Sequence, residues 1–526
     1  MAHSLRQRKQ STNYADSGSP GSDSIGSNAD YLSRTCNRRK KKRNLTLCST
    51  ATKETKTTNS SVNLTARRRR GHTSKKRVQE VQNKEASDPT SSNKKDVTLC
   101  ADQLSSNKTT ILSWLIDCNV IKEGEHVTCS NEIKGNPAKI GKIARGAILC
   151  SCCHREYSVW GFEKHCEIDL KKPYQDIHLL EKRASLLEFI RIAWQENGEL
   201  KHLEAHSSKR TRNSKDNHDY ACPVCGDGGD LICCDKCLAT YHLDCLNLER
   251  LPEGDWFCPY CVCKHCGLGD KSKQLIACFQ CNKKFEWGCF KEFEKDALKD
   301  ALDPDCSRLY CGQSCRQAYE MLEGSVGVRN EMTGSYTWRV IRPMDGTSTV
   351  SKHQYFENNV KVAITWKLMN EAFVPIVDRY SGHNVVQSVL YSLGSELPRI
   401  DYSRFYTFIL EKDDEVVSAA SVRVHGQRLA EMPFMATHKN YQRKGYCGYL
   451  LAIVESVLRR LSVQSLIIPA IPERASMWRD KFGFSDLTIE LKRELASFNI
   501  LMFLESLLLV KDLGRQKNLI AVTDLF

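Results

Sequence analysis

The chain has 526 residues, enough for three or four domains. Residues 1–105 hold 22 Lys and Arg against 9 Asp and Glu, a surplus of 13 out of the total net charge of +14. The rest is nearly neutral, which argues against sequence-specific DNA binding by the folded part. No apolar run reaches the eighteen or so residues of a membrane span, so we expect a soluble protein without membrane contact.

The cysteines are concentrated in the middle of the chain. Sixteen of the 26 fall between Cys222 and Cys315. Disulfides need an oxidising compartment, and the polar, basic first forty residues do not resemble a secretory signal. The density of cysteines therefore indicates metal binding inside the cell.

Residues 1–105 are rich in Ser, Thr, Asn and Lys and poor in aromatic and branched apolar residues. Such a segment buries too little surface to offset the entropy of ordering, so we predict a disordered basic tail. Basic runs at 38–43 and 67–77 are typical of nuclear import signals or of patches that bind phosphate, although solvated charge runs are also common. We predict a nuclear protein whose tail contacts nucleic acid without sequence specificity.

Residues 106–196 are predicted to be a small Cys-rich α/β region, with helices at 111–115 and 185–194. The string of Gly146, Cys150, Cys152, Cys153, Tyr157 and His165 resembles the domain of plant nuclear regulators that binds TIFY proteins or corepressors. That resemblance implies such partners. Cys150, Cys152 or Cys153, His165 and Cys166 are candidates for a third metal site, but the spacing of the cysteines favours buried structural thiols. Residues 197–218 are predicted to be a linker.

The most informative pattern is a run of metal-ligand residues in close pairs between 222 and 261. Each pair is separated by two residues, a spacing that turns both side chains toward one metal ion. The pairs are Cys222 with Cys225, Cys234 with Cys237, His242 with Cys245, and Cys258 with Cys261. About forty residues cannot build a core alone, so zinc binding is expected to stabilise this segment directly. Cys233 is expected to be a buried cysteine outside the metal sites.

This order of ligands, with Trp256 shortly before Cys258, resembles a PHD finger over residues 219–262. The resemblance implies interleaved sites, in which the first and third pairs hold one zinc ion and the second and fourth pairs hold the other. It also implies that the strand around 229–232 pairs with a peptide strand. An alternative is a finger that only packs on its neighbours.

The residues around that strand decide which peptide is expected. An aromatic cage for trimethyl-lysine is missing, since Leu231, Ile232 and Lys236 stand where its walls are usual and only Tyr220 is nearby. The carboxylates around this strand suit the positive charge of a free peptide amine. We therefore predict binding of the unmodified amino terminus of histone H3 at Asp219, Asp227, Asp230, Leu231, Ile232 and Asp235.

Residues 263–316 repeat the ligand pattern in a degenerate form and are predicted to be a second PHD-like zinc finger. The ligand candidates are Cys263, Cys266, Cys278, Cys281, Cys289, Cys311 and Cys315. Glu286 stands near the place of the ring-nitrogen ligand, and Glu286, His265 and Cys306 remain candidates for it. We predict one zinc ion here and leave a second open. The finger is expected to contribute rigidity.

Residues 317–358 are predicted to be a linker and residues 359–526 a C-terminal α/β domain. The apolar spacing predicts a helix over 360–377 and strands over 405–410 and 416–424 around a turn at Asp413 and Asp414. It further predicts a strand over 429–437, a helix over 448–461, a strand over 465–469 and a short helix over 474–481.

The junction between strand 429–437 and the next helix is the informative part of this domain. Backbone amides at a helix start bear partial positive charge and suit a pyrophosphate. The sequence there resembles the acetyl-CoA loop of the GNAT acetyltransferases, and more widely the plant "increased DNA methylation" type of histone acetyltransferase. The resemblance implies a GNAT fold and acetyl-CoA binding by Met435, Ala436, Thr437, Gln442, Arg443, Lys444, Gly445, Tyr446, Cys447 and Gly448.

Acetyl transfer to lysine needs a base, because an ammonium cannot attack a thioester until it loses a proton. Glu431 is the candidate, since it lies fourteen residues before Gly445, the offset seen in the histone-acetylating GNAT enzymes. Its apolar neighbours Leu429, Met432 and Phe434 are expected to raise its pKa toward neutrality. A partly exposed strand carboxylate is the alternative.

The sequence thus predicts a multidomain, nuclear chromatin regulator that binds the histone H3 tail and transfers acetyl from acetyl-CoA to a histone lysine. Its cofactors are zinc and acetyl-CoA. The main alternative is a transcriptional adaptor or corepressor scaffold whose acetyltransferase fold no longer catalyses. A RING-type ubiquitin ligase fits less well, because four ligand cysteines precede His242 and Trp256 precedes the last pair.

Overall fold

The computed structural model describes residues 47–48, 108–131, 136–167, 171–197, 218–269, 275–293, 308–346 and 350–514. The basic runs and nearly all of the linker predicted for 197–218 lie outside these residues and stay predictions. So does the disordered tail, except that Leu47–Cys48 form a strand, β1. Within the described ranges, none of the helices is long and apolar enough to cross a membrane.

Residues 108–197 form an α/β region around an antiparallel sheet with the strand order β5-β4-β3-β2-β6-β7. Its elements are α1 (Ile111–Asp117), β2 (His126–Asn131), β3 (Asn136–Ala144), β4 (Ala147–Cys150), β5 (Glu156–Tyr157), α2 (Val159–His165), α3 (Pro173–Asp176), β6 (Ile177–Leu179), β7 (Ala184–Ser185) and α4 (Leu186–Asn197). Helix α1 begins where Thr110 accepts a hydrogen bond from the Ser113 N–H, and it buries Ile111, Leu112 and Leu115. Helices α1 and α4 confirm the two helices predicted here.

The two fingers contain little secondary structure. Their elements are β8 (Leu231–Cys233), β9 (Thr240–Tyr241), α5 (Leu243–Leu246), β10 (Ile276–Ala277), β11 (Lys284–Phe285), α6 (Trp287–Phe293) and α7 (Gln313–Ser325). In the first finger β8 lies between β1 and β9, and in the second β10 pairs with β11. Each finger has its own small buried cluster of cysteines and aromatic side chains.

A large mixed sheet organises the C-terminal part, with the order β12-β13-β14-β15-β16-β17-β19-β18. Its elements are β12 (Asn330–Glu331), β13 (Tyr336–Ile341), α8 (Lys352–Ala372), α9 (Val385–Leu390), β14 (Phe405–Lys412), β15 (Glu415–Val424), β16 (Leu429–Thr437), α10 (Tyr446–Arg460), β17 (Ser465–Ala470), α11 (Pro472–Phe482), β18 (Ser485–Asp486), α12 (Ile489–Leu495) and β19 (Leu507–Asp512). Apolar side chains are buried on both faces of the sheet, one cluster including α8 and the other α10.

The predicted elements of this domain are present, with shifted ends. The turn between β14 and β15 is made by Asp413 (φ 51°) and Asp414 (φ 65°), two left-handed residues of the kind that close a tight hairpin. Helix α8 begins earlier than predicted, at Lys352, because Ser351 caps it by accepting from the Gln354 N–H.

The linker predicted for 317–358 is wrong. Helix α7 continues to Ser325, and β13 pairs with β14 along its whole length, from Tyr336 with Lys412 to Ile341 with Thr407. Trp338 stacks on Phe408 across the two strands, and Val340 and Ile341 are fully buried. This segment belongs to the sheet, where β13 pairs with the backbone N–H and C=O groups that β14 would otherwise expose at its edge.

A buried group of charges joins the N-terminal region to the C-terminal sheet. The backbone N–H of Trp160 on α2 donates to Asp414 (3.1 Å) and its indole N–H donates to Glu357 (3.2 Å). Arg339 forms ion pairs with Glu357 (2.7 Å) and Glu411 (2.8 Å). Because each buried charge has an opposite partner, the contact holds α2 at one fixed place on the sheet.

Candidate functional site

The first finger brings its eight predicted ligands into two groups of four. One group contains Cys222, Cys225, His242 and Cys245, and the other Cys234, Cys237, Cys258 and Cys261, with all ligand atoms of a group within 4.8 Å of one another. Sγ of Cys237 and Cys258 are 3.6 Å apart. Tetrahedral zinc with Zn–S bonds of about 2.3 Å separates its sulfur ligands by roughly 3.8 Å. The two groups follow the interleaved order that the resemblance implies, and both donor sets fit zinc.

The hydrogen bond of the histidine ligand fixes which nitrogen faces the metal. Nδ1 of His242 lies 3.3 Å from Sγ of Cys225 and 3.9 Å from Sγ of Cys245. Nε2 lies 3.0 Å from the carbonyl oxygen of Gly228, so its N–H donates there and leaves Nδ1 for the metal.

The second finger contains one group of four ligands and one of three. Cys278, Cys281, Cys311 and Cys315 form the first, and Cys263, Cys266 and Cys289 the second. Glu286 is outside both groups, and its backbone N–H donates to Sγ of Cys263 (3.3 Å). Cys306 lies outside the described residues. The first group fits the one zinc ion that was predicted here.

The edge of β8 where a peptide was predicted to bind carries a strand of the same chain. Leu47 pairs with Ile232 and Cys48 with Leu231 in the antiparallel sense. Leu231 and Ile232 are themselves almost completely buried, so their side chains belong to the core of the finger. This edge therefore accepts an added strand, and a histone peptide would have to displace Leu47–Cys48 and pair with the backbone of β8.

The four predicted acidic residues differ in their surroundings. Asp219 forms an ion pair with Arg399 (2.9 Å) and accepts from the Tyr380 hydroxyl (3.3 Å), and Asp235 accepts from the Trp256 N–H (2.9 Å). Asp219 is largely buried by its contacts, so we correct its assignment to a peptide site, whereas the assignment of the exposed Asp235 stays a prediction. Asp227 and Asp230 are exposed just before β8 and keep the predicted position.

Tyr220, the one aromatic residue left for a cage, already has a cation on its ring. The guanidinium of Arg379 lies 3.7 Å from the ring centroid. Such an arrangement is a cation–π contact, so this face of the ring is not open to a methylated lysine. The expected lack of a cage agrees with this geometry.

The second finger packs on the C-terminal sheet. The side chain of Gln280 donates to the carbonyl oxygen of Val424 at the end of β15 (3.0 Å). The guanidinium of Arg404 lies 4.0 Å from the ring centroid of Phe279, and the ammonium of Lys283 lies 4.2 Å from that of Phe498. These contacts agree with the predicted role of this finger as a rigid support.

A cleft opens where two parallel strands separate. Strand β16 pairs with β17 only from Leu429 to Glu431, whereas β17 continues beside β19 to Ala470. Beyond Glu431, none of the strands among the described residues pairs with the edge of β16 that faces β17. Met435, Ala436 and Thr437 lie on that part of the strand. This part of β16 therefore does not pair with β17, and its residues are buried.

The predicted loop connects this cleft to helix α10. Gly445 is the N-cap of α10 with φ +89°, a left-handed conformation that favours glycine. The side chain of Gln442 donates to the carbonyl oxygen of Thr437 (3.2 Å), which ties the loop to β16. Arg443 and Lys444 are exposed. Their charge, together with the first-turn amides of α10, makes this end of the cleft suited to an anion.

Two of the predicted loop residues also belong to the core. Tyr446 and Cys447 are buried, and Sγ of Cys447 lies 3.3 Å from Sδ of Met435 in the core. A small pocket is lined by residues of the loop, of β16 and of α11, namely Thr437, Tyr441, Arg443, Gly445, Tyr446, Cys447, Gly448, Lys481 and Phe482.

Glu431 is fully buried at the point where β16 and β17 separate. Arg423 Nε donates to its Oε1 (2.6 Å), His425 Nε2 lies 2.8 Å from the same oxygen, and the Leu501 N–H donates to Oε2 (2.8 Å). Burial raises the pKa of Glu431, but Arg423 and His425 outweigh it and lower the pKa to about 2. The predicted shift toward neutrality is therefore wrong.

Arg423 and His425, which hold the pKa of Glu431 low, were not among the residues predicted from the sequence. A signal was available, because Arg423 is the one charged residue within the predicted strand 416–424 and His425 directly follows that strand. A buried charge of this kind needs a partner on the neighbouring strand. Arg423 pairs with Glu431 directly in the register of β15 and β16.

Family comparisons agree with three of these regions. Residues 222–261 match the PHD-finger family model. The first finger is a PHD finger. Residues 141–192 match the Tify domain binding domain, and residues 373–512 match the C-terminal domain described as "Increased DNA methylation 1".

Individual relatives cover different parts of the chain. "Increased DNA methylation 1" of Arabidopsis thaliana is 32% identical over 415 residues, which are 77% of this chain and 34% of that protein. The chain thus spans about a third of the length of this relative. The mouse "Histone-lysine N-methyltransferase NSD3" is 52% identical over 52 residues, 10% of this chain and 4% of that protein. The solved structure of Tetrahymena GCN5 is 16% identical with a TM-score of 0.21, covering 24% of this chain and 72% of that one.

Proposed function

We propose that this chain is a nuclear chromatin regulator that binds the amino terminus of histone H3 through its first finger. In the same proposal the C-terminal domain has a GNAT-type fold, binds acetyl-CoA and transfers the acetyl group to a histone lysine. Support for chromatin binding comes from the PHD finger and from the similarity to "Increased DNA methylation 1". The match of residues 141–192 supports a TIFY-type or corepressor partner for the N-terminal region.

The separation of β16 from β17 is the observation that carries the acetyl-CoA part of the proposal. Met435, Ala436 and Thr437 would hold an extended ligand by their backbone groups, and the loop from Gln442 to Gly445 with the start of α10 would hold its phosphates. When bound, acetyl-CoA supplies an acetyl group activated as a thioester. The backbone of β16 would also polarise the thioester carbonyl.

The surroundings of Glu431 favour a second candidate function. A base must accept a proton from the lysine ammonium, but both oxygens of Glu431 are already hydrogen-bonded and its pKa is about 2. Catalysis by Glu431 requires that substrate binding separates it from Arg423 and His425. Without that change the domain would bind acetyl-CoA and act as a scaffold, which is the adaptor function.

Substitution of Arg443 by alanine is expected to weaken acetyl-CoA binding about tenfold, the effect of losing one charge-assisted contact to a phosphate. Calorimetric titration of the full chain measures this change. Transfer of radiolabelled acetyl to core histones, measured on the same protein, then separates the enzyme from the scaffold. Binding with transfer supports the enzyme, and binding without transfer supports the adaptor.

Arg460→Ala is the matched control for this test. Arg460 is exposed at the opposite end of α10, so the substitution removes the same charge from the same helix. We expect its acetyl-CoA affinity to equal that of the unchanged protein. Equal affinities of the two variants, or no acetyl-CoA binding by the unchanged chain, would contradict the proposed site.

Binding of histone H3 is expected to depend on a free amino terminus and on Asp230. Asp230→Asn should weaken the binding of an unmodified H3 peptide about tenfold, because a charge-assisted hydrogen bond to an amine contributes about 1.5 kcal/mol or more. Acetylation of the peptide amine should weaken binding to a similar degree. Fluorescence anisotropy with labelled peptides measures both effects.

Asp244→Asn provides the control, since Asp244 is an exposed acid on α5 of the same finger and the change in net charge is identical. Removal of residues 1–50 is expected to strengthen peptide binding, because β1 pairs with β8 at the proposed edge. Tighter binding of a trimethylated peptide than of the unmodified one would refute this assignment.

A further inference from the structure

A group of metal-ligand residues in the N-terminal region takes no part in the proposed function. It consists of the thiols of Cys150, Cys152 and Cys153 and the imidazole of His165, whose ligand atoms all lie within 4.8 Å of one another. Nε2 of His165 is 3.3 Å from Sγ of Cys150, 3.3 Å from Sγ of Cys152 and 3.7 Å from Sγ of Cys153. We propose that this group binds a zinc ion.

The distances agree with those in the first finger. There, Nδ1 of His242 lies 3.3 Å and 3.9 Å from two of its cysteine sulfurs. A tetrahedral site with Zn–S bonds of about 2.3 Å and Zn–N bonds of about 2.0 Å separates sulfur from nitrogen by roughly 3.5 Å. Sγ of Cys150 and Cys152 are 3.2 Å apart, well beyond the roughly 2.05 Å of a disulfide, so the two cysteines are thiols.

The chain builds this group at a tight turn. Cys150 ends β4, and the turn closes with a hydrogen bond from the His154 N–H to the carbonyl oxygen of Cys150 (3.0 Å). His154 has φ +54°, which reverses the chain toward β5. Cys150 and Cys153 are therefore separated by two residues, the spacing of a zinc-binding turn, and Cys152 adds a third thiol between them. The spacing was expected to favour structural thiols, but that expectation did not take the pair of Cys150 and Cys153 into account.

The fourth ligand comes from the end of α2. His165 is the last residue of that helix, and its ring stacks on Tyr157 with the centroids 4.6 Å apart and the planes inclined by 12°. This contact holds the imidazole with Nε2 toward the three thiols. Cys166, the other candidate, is outside the group and is buried in the core of this region.

The donor set determines the metal. Three thiolates and one imidazole are soft ligands in a tetrahedral arrangement, which suits zinc and disfavours calcium or magnesium. The ion would connect the turn after β4 to the end of α2. Since α2 carries Trp160, which contacts Asp414 and Glu357, the metal would also stabilise the contact with the C-terminal sheet.

The reactivity of Cys152 tests the site in the unchanged full-length protein. Cys152 is exposed, so a free thiol there should be alkylated quickly by iodoacetamide. We expect the zinc-loaded chain to be protected at Cys152 and to become reactive when a chelator is added, as followed by peptide mass spectrometry. Equal labelling of Cys152 with and without chelator, or a disulfide at this position, would overturn the proposal.

Metal analysis of variants gives an independent measurement. The double variant Cys152→Ser and His165→Asn removes two ligands and is expected to contain one zinc ion fewer per chain than the unchanged protein. Cys118→Ser, a half-buried cysteine at the end of α1 outside the ligand group, should leave the zinc content unchanged. An unchanged zinc content in the folded double variant contradicts the site, and if the variant does not fold, the labelling of the unchanged protein decides.

Discussion

Removal of zinc is expected to unfold the first finger while most of the C-terminal sheet remains folded. The core of this finger consists largely of its ligands and a few apolar residues, and about forty residues cannot bury enough surface to be stable alone. Structural zinc contributes about 10–16 kcal/mol of apparent binding free energy per site, which exceeds the stability of many whole domains. Hydrogen exchange with and without a strong chelator should show lost protection in β8 and β9.

The C-terminal sheet serves as the internal reference in the same experiment. Strands β14, β15 and β16 are buried on both faces by α8 and α10, so their protection should persist after chelation. Retained protection of β8 and β9 without metal would contradict a structural role for zinc.

A pair of cysteine variants separates ligand loss from thiol loss. Cys258→Ser removes a buried ligand and is expected to lower the zinc content and unfold the finger. Cys233→Ser changes a cysteine that belongs to none of the ligand groups found among the described residues, although it neighbours a ligand. Its zinc content should match that of the unchanged chain.

Glu431→Gln is expected to destabilise the C-terminal domain, whatever its effect on catalysis. The substitution leaves the buried guanidinium of Arg423 without its carboxylate, and breaking a buried ion pair typically costs about 3–5 kcal/mol. In a domain of this size a loss of about 3 kcal/mol lowers the melting temperature by roughly 6–12 °C. Thermal unfolding followed by circular dichroism measures the shift.

The pH dependence has a defined sign. The pKa of Glu431 is about 2 in the folded protein, below the roughly 4.3 of an unfolded glutamate, so the unfolded chain binds more protons between these values. The stability that Glu431 contributes is therefore present above about pH 4.3 and is lost as the pH falls toward 2. Glu431→Gln should remove this contribution.

Glu415→Gln is the control for the loss of a carboxylate in the same sheet. Glu415 begins β15 and accepts a hydrogen bond from the Tyr441 hydroxyl (2.7 Å), a contact that glutamine can also make. Its melting temperature is expected to change by only a few degrees. Equal stability of Glu431→Gln and the unchanged chain would show that the ion pair with Arg423 is not important for folding.

The stability of Glu431→Gln also affects how a loss of acetyl transfer in this variant is interpreted. If Glu431→Gln abolished acetyl transfer while the protein was destabilised, lost activity alone would not identify Glu431 as the base. Acetyl-CoA binding by the variant, measured below its melting temperature, separates the two effects. Retained binding without transfer supports a catalytic Glu431, and loss of both indicates a positioning role for the ion pair.

Local spacing was enough to predict the zinc centres of the first finger and the main elements of the C-terminal sheet. In a ligand pair such as Cys222 and Cys225, the two intervening residues are enough to bring both side chains to one metal ion. The alternation of apolar residues in β14 to β16 can likewise be read directly from the sequence. The pairing of separate ligand pairs came from the resemblance to a known finger, and the structure agrees with it. Similarly, Asp413 and Asp414 predicted the hairpin turn because few residues tolerate positive φ.

Only the tertiary structure decided the contacts between distant segments. The segment predicted as a linker contains β13, whose pairing with β14 joins residues far apart in the sequence. The first turns of α8 were not predicted because they carry polar residues such as Asn358 and Asn359, and these side chains are buried in the structure. The pKa of Glu431 depends on Arg423 and on the backbone of Leu501, seventy residues further along the chain. Electrostatic energies depend on distance and burial in space, so no pattern of neighbouring residues could supply them.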